Sequence, residues 1–516
     1  MGSEERHVGY IPVAGEDPSE SHQGNGIELQ SFGKLQSVDK LAMGASIEPT
    51  NRKFLYAAAC AVNIASFVCG VTFGWTSPMI PKLNGQQDPD FNPVQPPITP
   101  SEESWIGSLL PLGAGIGPFA AGFFLDKIGR KKTILASNVP FLVAFIMFAV
   151  CSEVKYFFIG RFLCGLAVGG TFTVLPMYVA EISDDAVRGT LASLFQLFIV
   201  TGLLFSYAVG PYVPIATFNY ICAVLPCIFM VVFFIFIPES PYHLVAIKDD
   251  KAASKALAKF RAKSEDDIQK ELSTIKGAVE EAMANNGSFF DIFKSKGATK
   301  ALIISLSLVA FQQFSGINVI LFYSQTIFAA TGSTIPPDLS SIVIGATQIV
   351  ASFITPAVVE KKGKRFLLLI SGIGMGIAEG VLGYYFYLKT AGSNVQPIFW
   401  LPVACLIVFI LAYCSGFGPL PWAVCAELFT SDVKSSASTA TASICWLLGF
   451  VLTKYFADVS NAIGISNSFY IFALCCFLAA LFVYKLLPET SGKSLQEIQD
   501  ILNGIRRDNN SENTKL

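Results

Sequence analysis

The chain has 516 residues, 52% hydrophobic and 14% charged, with a formal net charge of −2 and a mean hydropathy of +0.54. This composition is that of a polytopic membrane protein, and the absence of a basic excess excludes a nucleic-acid partner. The 12 cysteines lie in or at the edges of apolar segments, so they read as small buried hydrophobes and not as a disulfide framework.

Residues 1–50 are rich in Gly, Ser and Glu and poor in aromatics, which predicts a disordered cytoplasmic N-terminus. They hold no cleavable signal peptide, and Met1-Gly2-Ser3-Glu4-Glu5-Arg6 lacks the Ser or Thr that N-myristoylation wants. Apolar segments long enough to span a bilayer follow near 54–76, 102–124, 132–151, 156–180, 190–211 and 217–237. A polar interval, 238–298, separates them from a second six near 299–330, 338–359, 366–388, 397–420, 432–456 and 467–487, and residues 488–516 form a polar tail. The expectation is an all-α membrane protein of two six-helix bundles, 51–237 and 299–487, with a helical linker domain between them. Lys127, Arg130, Lys131 and Lys132 sit between the second and third spans, and Lys361, Lys362, Lys364 and Arg365 between the eighth and ninth. By the positive-inside rule these loops and both termini are cytoplasmic. In the linker, Ala253, Leu257 and Phe260 recur at helical spacing, as do Leu272 and Ile275, so amphipathic helices are expected beneath the membrane domain.

One segment carries chemistry. Gln312, Gln313, Ser315, Gly316 and Asn318 interrupt the seventh apolar segment. An unsatisfied polar group in hydrocarbon costs several kcal/mol, so this stripe must face protein or water. Uncharged side chains with paired donors and acceptors suit a neutral polyhydroxyl ligand. Read as one continuous helix, the segment places Asn318 near the stripe begun by Gln312 and Ser315.

The halves repeat at a spacing of about 240 residues, as parallel duplications in transporters do. Asp126-Lys127-Ile128-Gly129-Arg130-Lys131 matches Glu360-Lys361-Lys362-Gly363-Lys364-Arg365. Glu181 and Arg188 match Glu427 and Lys434, and Pro238-Glu239-Ser240 matches Pro488-Glu489-Thr490. The expectation is that these acids and bases pair across the cytoplasmic face, latching the halves while the cavity faces outward. Lys131, Lys132 and Lys362 serve only to fix topology and meet headgroups.

Together these motifs resemble the sugar porter family of the major facilitator superfamily over residues 52–495. Gly160-Arg161-Phe162, Pro176, Tyr178, Glu181, Arg188, Gly189, Gln196, the Gln312–Asn318 run, Gly418-Pro419-Leu420-Pro421-Trp422 and the two Pro-Glu-Ser/Thr ends carry the likeness. Within that family the chain is similar to insect facilitated trehalose transporters and related hexose facilitators, through Gly70–Pro78 and Pro-Glu-Ser-Pro-Tyr242-His243. The resemblance implies sugar contacts at Gln196, Gln312, Gln313, Asn318, Gln348, Trp422 and Trp446. It implies a cytoplasmic gate of Asp126, Arg130, Arg161, Glu181, Arg188, Glu239, Glu360, Arg365, Glu427, Lys434 and Glu489. It also has departures: Cys414 stands where hexose facilitators often carry Glu, and Cys445 and Gly449 stand where the family has asparagines. Smaller residues there leave room, which favours a disaccharide or a different hexose.

No carboxylate lies in the first span, where proton-linked relatives place an Asp, and Glu379 in the ninth is the one acid well inside a span. The expectation is therefore a monomeric uniporter of trehalose or a hexose in the plasma membrane, without cofactor or metal. The rivals are a proton-coupled sugar or polyol symporter and a non-transporting sugar sensor. No nucleophile–base pair, metal cluster or phosphate loop points to an enzyme.

Overall fold

Hydrocarbon offers no partner for a backbone N–H or C=O, so an apolar chain must close its hydrogen bonds within helices. The computed structural model describes residues 51–503, apart from 88–91, 185, 285–288, 430, 492 and 494, and these are helices joined by turns, without a strand. The disorder expected of 1–50 lies outside the described residues, as does the end of the tail from 504. Eleven helices among the described residues are long and apolar enough to cross a membrane. In the first half they are Lys53–Leu83, Pro100–Leu125, Arg130–Val150, Val154–Ile182, Arg188–Tyr212 and Ile215–Phe236. In the second they are Lys296–Phe322, Lys364–Thr390, Gln396–Leu428, Ser436–Ile463 and Ile465–Leu486, with helix Pro337–Lys362 in the eighth place. The first span outruns its expected end, because the chain turns at Trp75 and continues as helix Thr76–Leu83.

Close packing rests on small residues. The second span lies on the fourth, the first on the fifth, and the ninth on the twelfth. At the crossing of the second and fourth spans, a Cβ on Gly165 would stand 2.2 Å from the Leu110 carbonyl oxygen.

The repeated turns share one design. Gly129 (φ +88°) and Gly363 (φ +79°) adopt a backbone conformation that L side chains rarely enter. A Cβ there would meet Glu239 Oε2 at 2.6 Å or Glu489 Oε2 at 2.7 Å. Those carboxylates cap the next span. Glu239 accepts from the Lys131 amide at 2.9 Å, and Glu489 from the amides of Lys364 and Arg365, both at 3.2 Å. Burial would raise the Glu489 carboxyl, but hydrogen bonds from Ser491, Arg365 and Lys364 outweigh it and hold the group below the usual carboxylate range. A lowered carboxyl stabilises the corner fully above the unfolded value, and that stability is lost as pH falls through the lowered one. Gly129→Ala is expected to lower the thermal midpoint of purified protein by several degrees, on the order of 1–2 kcal/mol of backbone strain plus the clash. Gly122→Ala, whose Cβ would meet nothing within 4 Å, should leave the midpoint unchanged.

Between the halves, helices Pro241–Ala246, Asp250–Arg261 and Gln269–Ala284 lie at the basic-loop end. Ala253 and Leu257 are buried with Ile268, Leu272 and Ile275. Arg261 ties them to the fourth span, donating to the Ile182 carbonyl and to Glu271 Oε1, each at 2.7 Å. Helix Leu495–Asn503 docks on the other half, where Gln499 donates to the Leu428 carbonyl at 2.6 Å.

The two halves meet at the end away from the basic turns. Lys454 Nζ donates to Ser104 Oγ at 2.7 Å, Tyr212 OH to Asp338 Oδ2 at 2.7 Å, and the Gln325 amide to Ser77 Oγ at 3.2 Å. Contact between the second and eleventh spans reaches mid-helix, where Gly115 faces Leu447 and the Ser443 carbonyl.

Candidate substrate site

The seventh span is not one helix. Helix Lys296–Phe314 stops at Ser315, Gly316 takes a left-handed conformation (φ +73°), and a new helix runs Ile317–Phe322. This corrects the continuous-helix expectation: the turn at Gly316, not helical spacing, brings Asn318 to the glutamines. Asn318 Nδ2 donates to Gln313 Oε1 at 2.6 Å, and Gln313 Nε2 donates to Cys445 Sγ at 3.1 Å. The tenth span breaks as well, at Gly416–Pro419, between helices Leu401–Ser415 and Leu420–Leu428. Gln312 Nε2 satisfies the carbonyls freed there, Phe417 O at 2.6 Å and Gly418 O at 2.9 Å. Gln312 therefore holds the break, while Gln313 and Asn318 bond to each other.

Aromatic rings of the two halves meet at Trp446, the neighbour of Cys445. Trp446 is 8% exposed, stacks on Phe73 with centroids 5.8 Å apart, and meets the edge of Phe172 at 5.8 Å. Phe73 also stacks on Phe322, and Phe172 packs edge-on to Phe195, the neighbour of Gln196. In this conformation a face of Trp446 is covered by protein. Gly449, one helical turn from Cys445, lets the pair pack close against the eleventh span: a Cβ there would stand 3.0 Å from Gln313 Oε1 and 3.2 Å from Asn318 Nδ2.

The remaining expected contacts differ in exposure. Gln348 is buried, Gln196 is exposed, and Trp422 is 36% exposed. Among the described residues, the hydrogen bonds of Gln312, Gln313 and Asn318 include no carboxylate. Glu379 points elsewhere: it is fully buried in the ninth span and takes a hydrogen bond from Cys476 Sγ of the twelfth at 3.4 Å.

At the basic end the acids pair within their own halves. Arg130 grips Glu181 at 2.9 Å, and Ser240 Oγ also donates to Glu181. Lys364 pairs with Glu427, and Arg365 donates to the Tyr484 carbonyl. Lys434 and Arg188, expected to take part in ion pairs latching the halves, are exposed. The side chains of Asp126 and Glu360 lie outside the described residues.

Arg161 does not belong to this cluster. It sits about 30 Å of helix from Ile182 at 1.5 Å per residue, at the opposite end of the fourth span. Fully buried, it donates to the carbonyls of Ile106 (3.0 Å) and Thr72 (2.9 Å) beside Trp75, pinning the first and second spans to the fourth. Lys454 was not anticipated. The eleventh span runs past residue 456 to Ile463, which puts the ammonium inside the helix, 8% exposed and 4.7 Å from the Trp105 ring.

Residues 58–502 match the family described as sugar (and other) transporter. The chain is 36% identical to the facilitated trehalose transporter Tret1 of Polypedilum vanderplanki over 472 residues, covering 90% of this chain and 92% of that one. It is 35% identical to Tret1 of Drosophila pseudoobscura pseudoobscura over 89% of its length, yet spans only 52% of that relative. Thus it covers about half the length of some curated relatives and nearly all of others. Among solved structures, the inward-open xylose transporter XylE from E. coli aligns with a TM-score of 0.71 at 22% identity over 87% of this chain and 99% of that one. The XylE proton:xylose symporter bound to 6-bromo-6-deoxy-D-glucose aligns at 0.69, also at 22% identity, over 88% and 100%. These likenesses establish the fold.

Proposed function

Because the chain belongs to the sugar porter family of the major facilitator superfamily, we propose that it carries trehalose or a hexose across a membrane by facilitated uniport. The observation that carries this reading is the neutral pair Gln313–Asn318 with Cys445, whose mutual bonds can be exchanged for bonds to sugar hydroxyls. Amides satisfied among themselves are stable in the empty carrier, and a sugar gains only the difference, so binding is weak enough to release. The lack of a carboxylate in the described bonds of that cluster supports uniport over proton coupling.

Far-end contacts joining the halves, with basic-end ion pairs kept within each half, correspond to a carrier closed to the outside. The outward-facing state would reverse this, with Glu181 and Glu427 joining cations across the halves. The basic turns support a cytoplasmic placement of that end and both termini, and we take the carrier to act as a monomer in the plasma membrane.

The relatives' named cargo favours trehalose. Gly449→Asn, whose side chain would push into the Gln313–Asn318 pair, is expected to reduce uptake of trehalose and hexoses alike by about tenfold or more, the equivalent of 1.4 kcal/mol. Uptake into oocytes with a panel of mono- and disaccharides, with and without a pH gradient, tests the assignment. No sugar entering faster than into uninjected cells would refute it.

A further inference from the structure

Two cavities between the third and sixth spans join at the basic end. The outer one, about 300 Å³, is lined in part by Lys131, Lys132, Phe234, Glu239 and His243. The inner one, about 400 Å³, is wholly apolar and includes Ala136, Val139, Met230, Val231 and Ile235. Leu135 and Phe234 line both, so the two form one groove. Val139, Val231, Phe234 and Ile235 are exposed, and on a membrane span that means facing lipid. From Lys132 to Val139 the third span rises about 10 Å, room for part of an acyl chain.

The groove's mouth is basic. Lys131 Nζ donates to the Phe234 carbonyl at 2.8 Å, which leaves two of its three N–H groups for another acceptor. Lys132 is exposed. Lys259 Nζ donates to the Phe236 carbonyl at 2.9 Å, two residues on from the carbonyl that Lys131 takes. Glu239, the acid lining the groove, is occupied: it accepts from the amides of Lys131 and Ser240, both at 2.9 Å. The start of the third helix is thus already capped, and an arriving anion meets ammonium groups.

We propose that this groove binds one anionic phospholipid, its headgroup phosphate among Lys131, Lys132 and Lys259 and an acyl chain along Leu135, Val139, Met230 and Val231. A neutral lipid lacks the charge this mouth selects for, and a free anion lacks the chain the inner cavity takes. The bound lipid would bridge the start of the third span and the end of the sixth, the corner that also carries Arg130–Glu181. The proposal does not depend on which solute is carried.

The test is native mass spectrometry of the full chain in detergent, titrated with phosphatidylserine, with phosphatidylcholine of the same chains, and with inorganic phosphate as competitor. One phosphatidylserine should be retained in clear preference to phosphatidylcholine, and phosphate should not displace it. Lys132→Gln should weaken retention by about fivefold, the scale for one lysine near an anionic lipid. Lys362→Gln, in the other half, should not. Val231→Trp fills the inner groove without touching charge and should also release the lipid, which keeps the test informative if lysine variants fold poorly. Equal retention of the two lipids, displacement by phosphate, or indifference to both Lys132→Gln and Val231→Trp would overturn the proposal.

Discussion

Replacing Gln313 by leucine is expected to cut sugar uptake at least tenfold while the amount of folded protein at the membrane stays the same. Leucine keeps much of the volume but removes the acceptor of Asn318 (2.6 Å) and the donor to Cys445 (3.1 Å). Two hydrogen bonds exchanged with a sugar are worth about 2 kcal/mol together, roughly a thirtyfold change in rate or affinity. Gln312→Leu should behave differently. It orphans the carbonyls of Phe417 and Gly418 at the break in the tenth span, so folded yield should fall along with uptake. Uptake normalised to surface-labelled protein separates the two. Wild-type uptake by Gln313→Leu would remove the amide pair from the mechanism.

The second large effect is at the far end. Ser104→Ala strips the Lys454 ammonium of a 2.7 Å partner while leaving it nearly buried against Trp105. A hydrogen bond to a charged group is worth about 1.5–3 kcal/mol, so the closed outer end should lose about tenfold to a hundredfold in population. Cysteines introduced along the outer ends of the second and eleventh spans should then react faster with an impermeant reagent. Lys454→Met removes the charge as well as the bond, so in combination with Ser104→Ala it should restore much of the closure, since an apolar pair leaves nothing unsatisfied. Labelling that is unchanged in Ser104→Ala would show that this contact does not hold the outer seal.

Much of this was legible in the chain because hydrocarbon imposes a length on every span. Apolar runs of about 20 residues fix where helices fall, and the repeated Gly-basic and Pro-Glu motifs fix their pairing into halves. What escaped depends on distance or direction. Gly316 signals a break only when it is known that a left-handed residue is needed between Gln313 and Asn318. Arg161 looks like a gate residue by motif, yet counting spans puts the start of the fourth at the end opposite the basic turns, and that signal was available. Lys454 was hidden by a span read as ending at 456 when the helix reaches Ile463. The partners of Glu181 and Glu427 could not be read from spacing. Each finds the cation that opens the helix after the repeated glycine, Arg130 or Lys364, and not the one seven residues on.

These points share a physical basis. The printed bonds of Gln312, Gln313 and Asn318 are made among neutral groups, and Glu181, Glu427, Glu239 and Glu489 are paired or capped within a half. At that site a neutral solute can replace the internal bonds at little net cost.

The most direct test is transport of radiolabelled trehalose and glucose into liposomes holding the purified chain, with an inward proton gradient imposed or absent. Label should equilibrate and stop, with a transient overshoot only when unlabelled sugar is preloaded, and the gradient should leave the final level unchanged. Accumulation of label above equilibrium, driven by the proton gradient and abolished by an uncoupler, would contradict the neutral-site account.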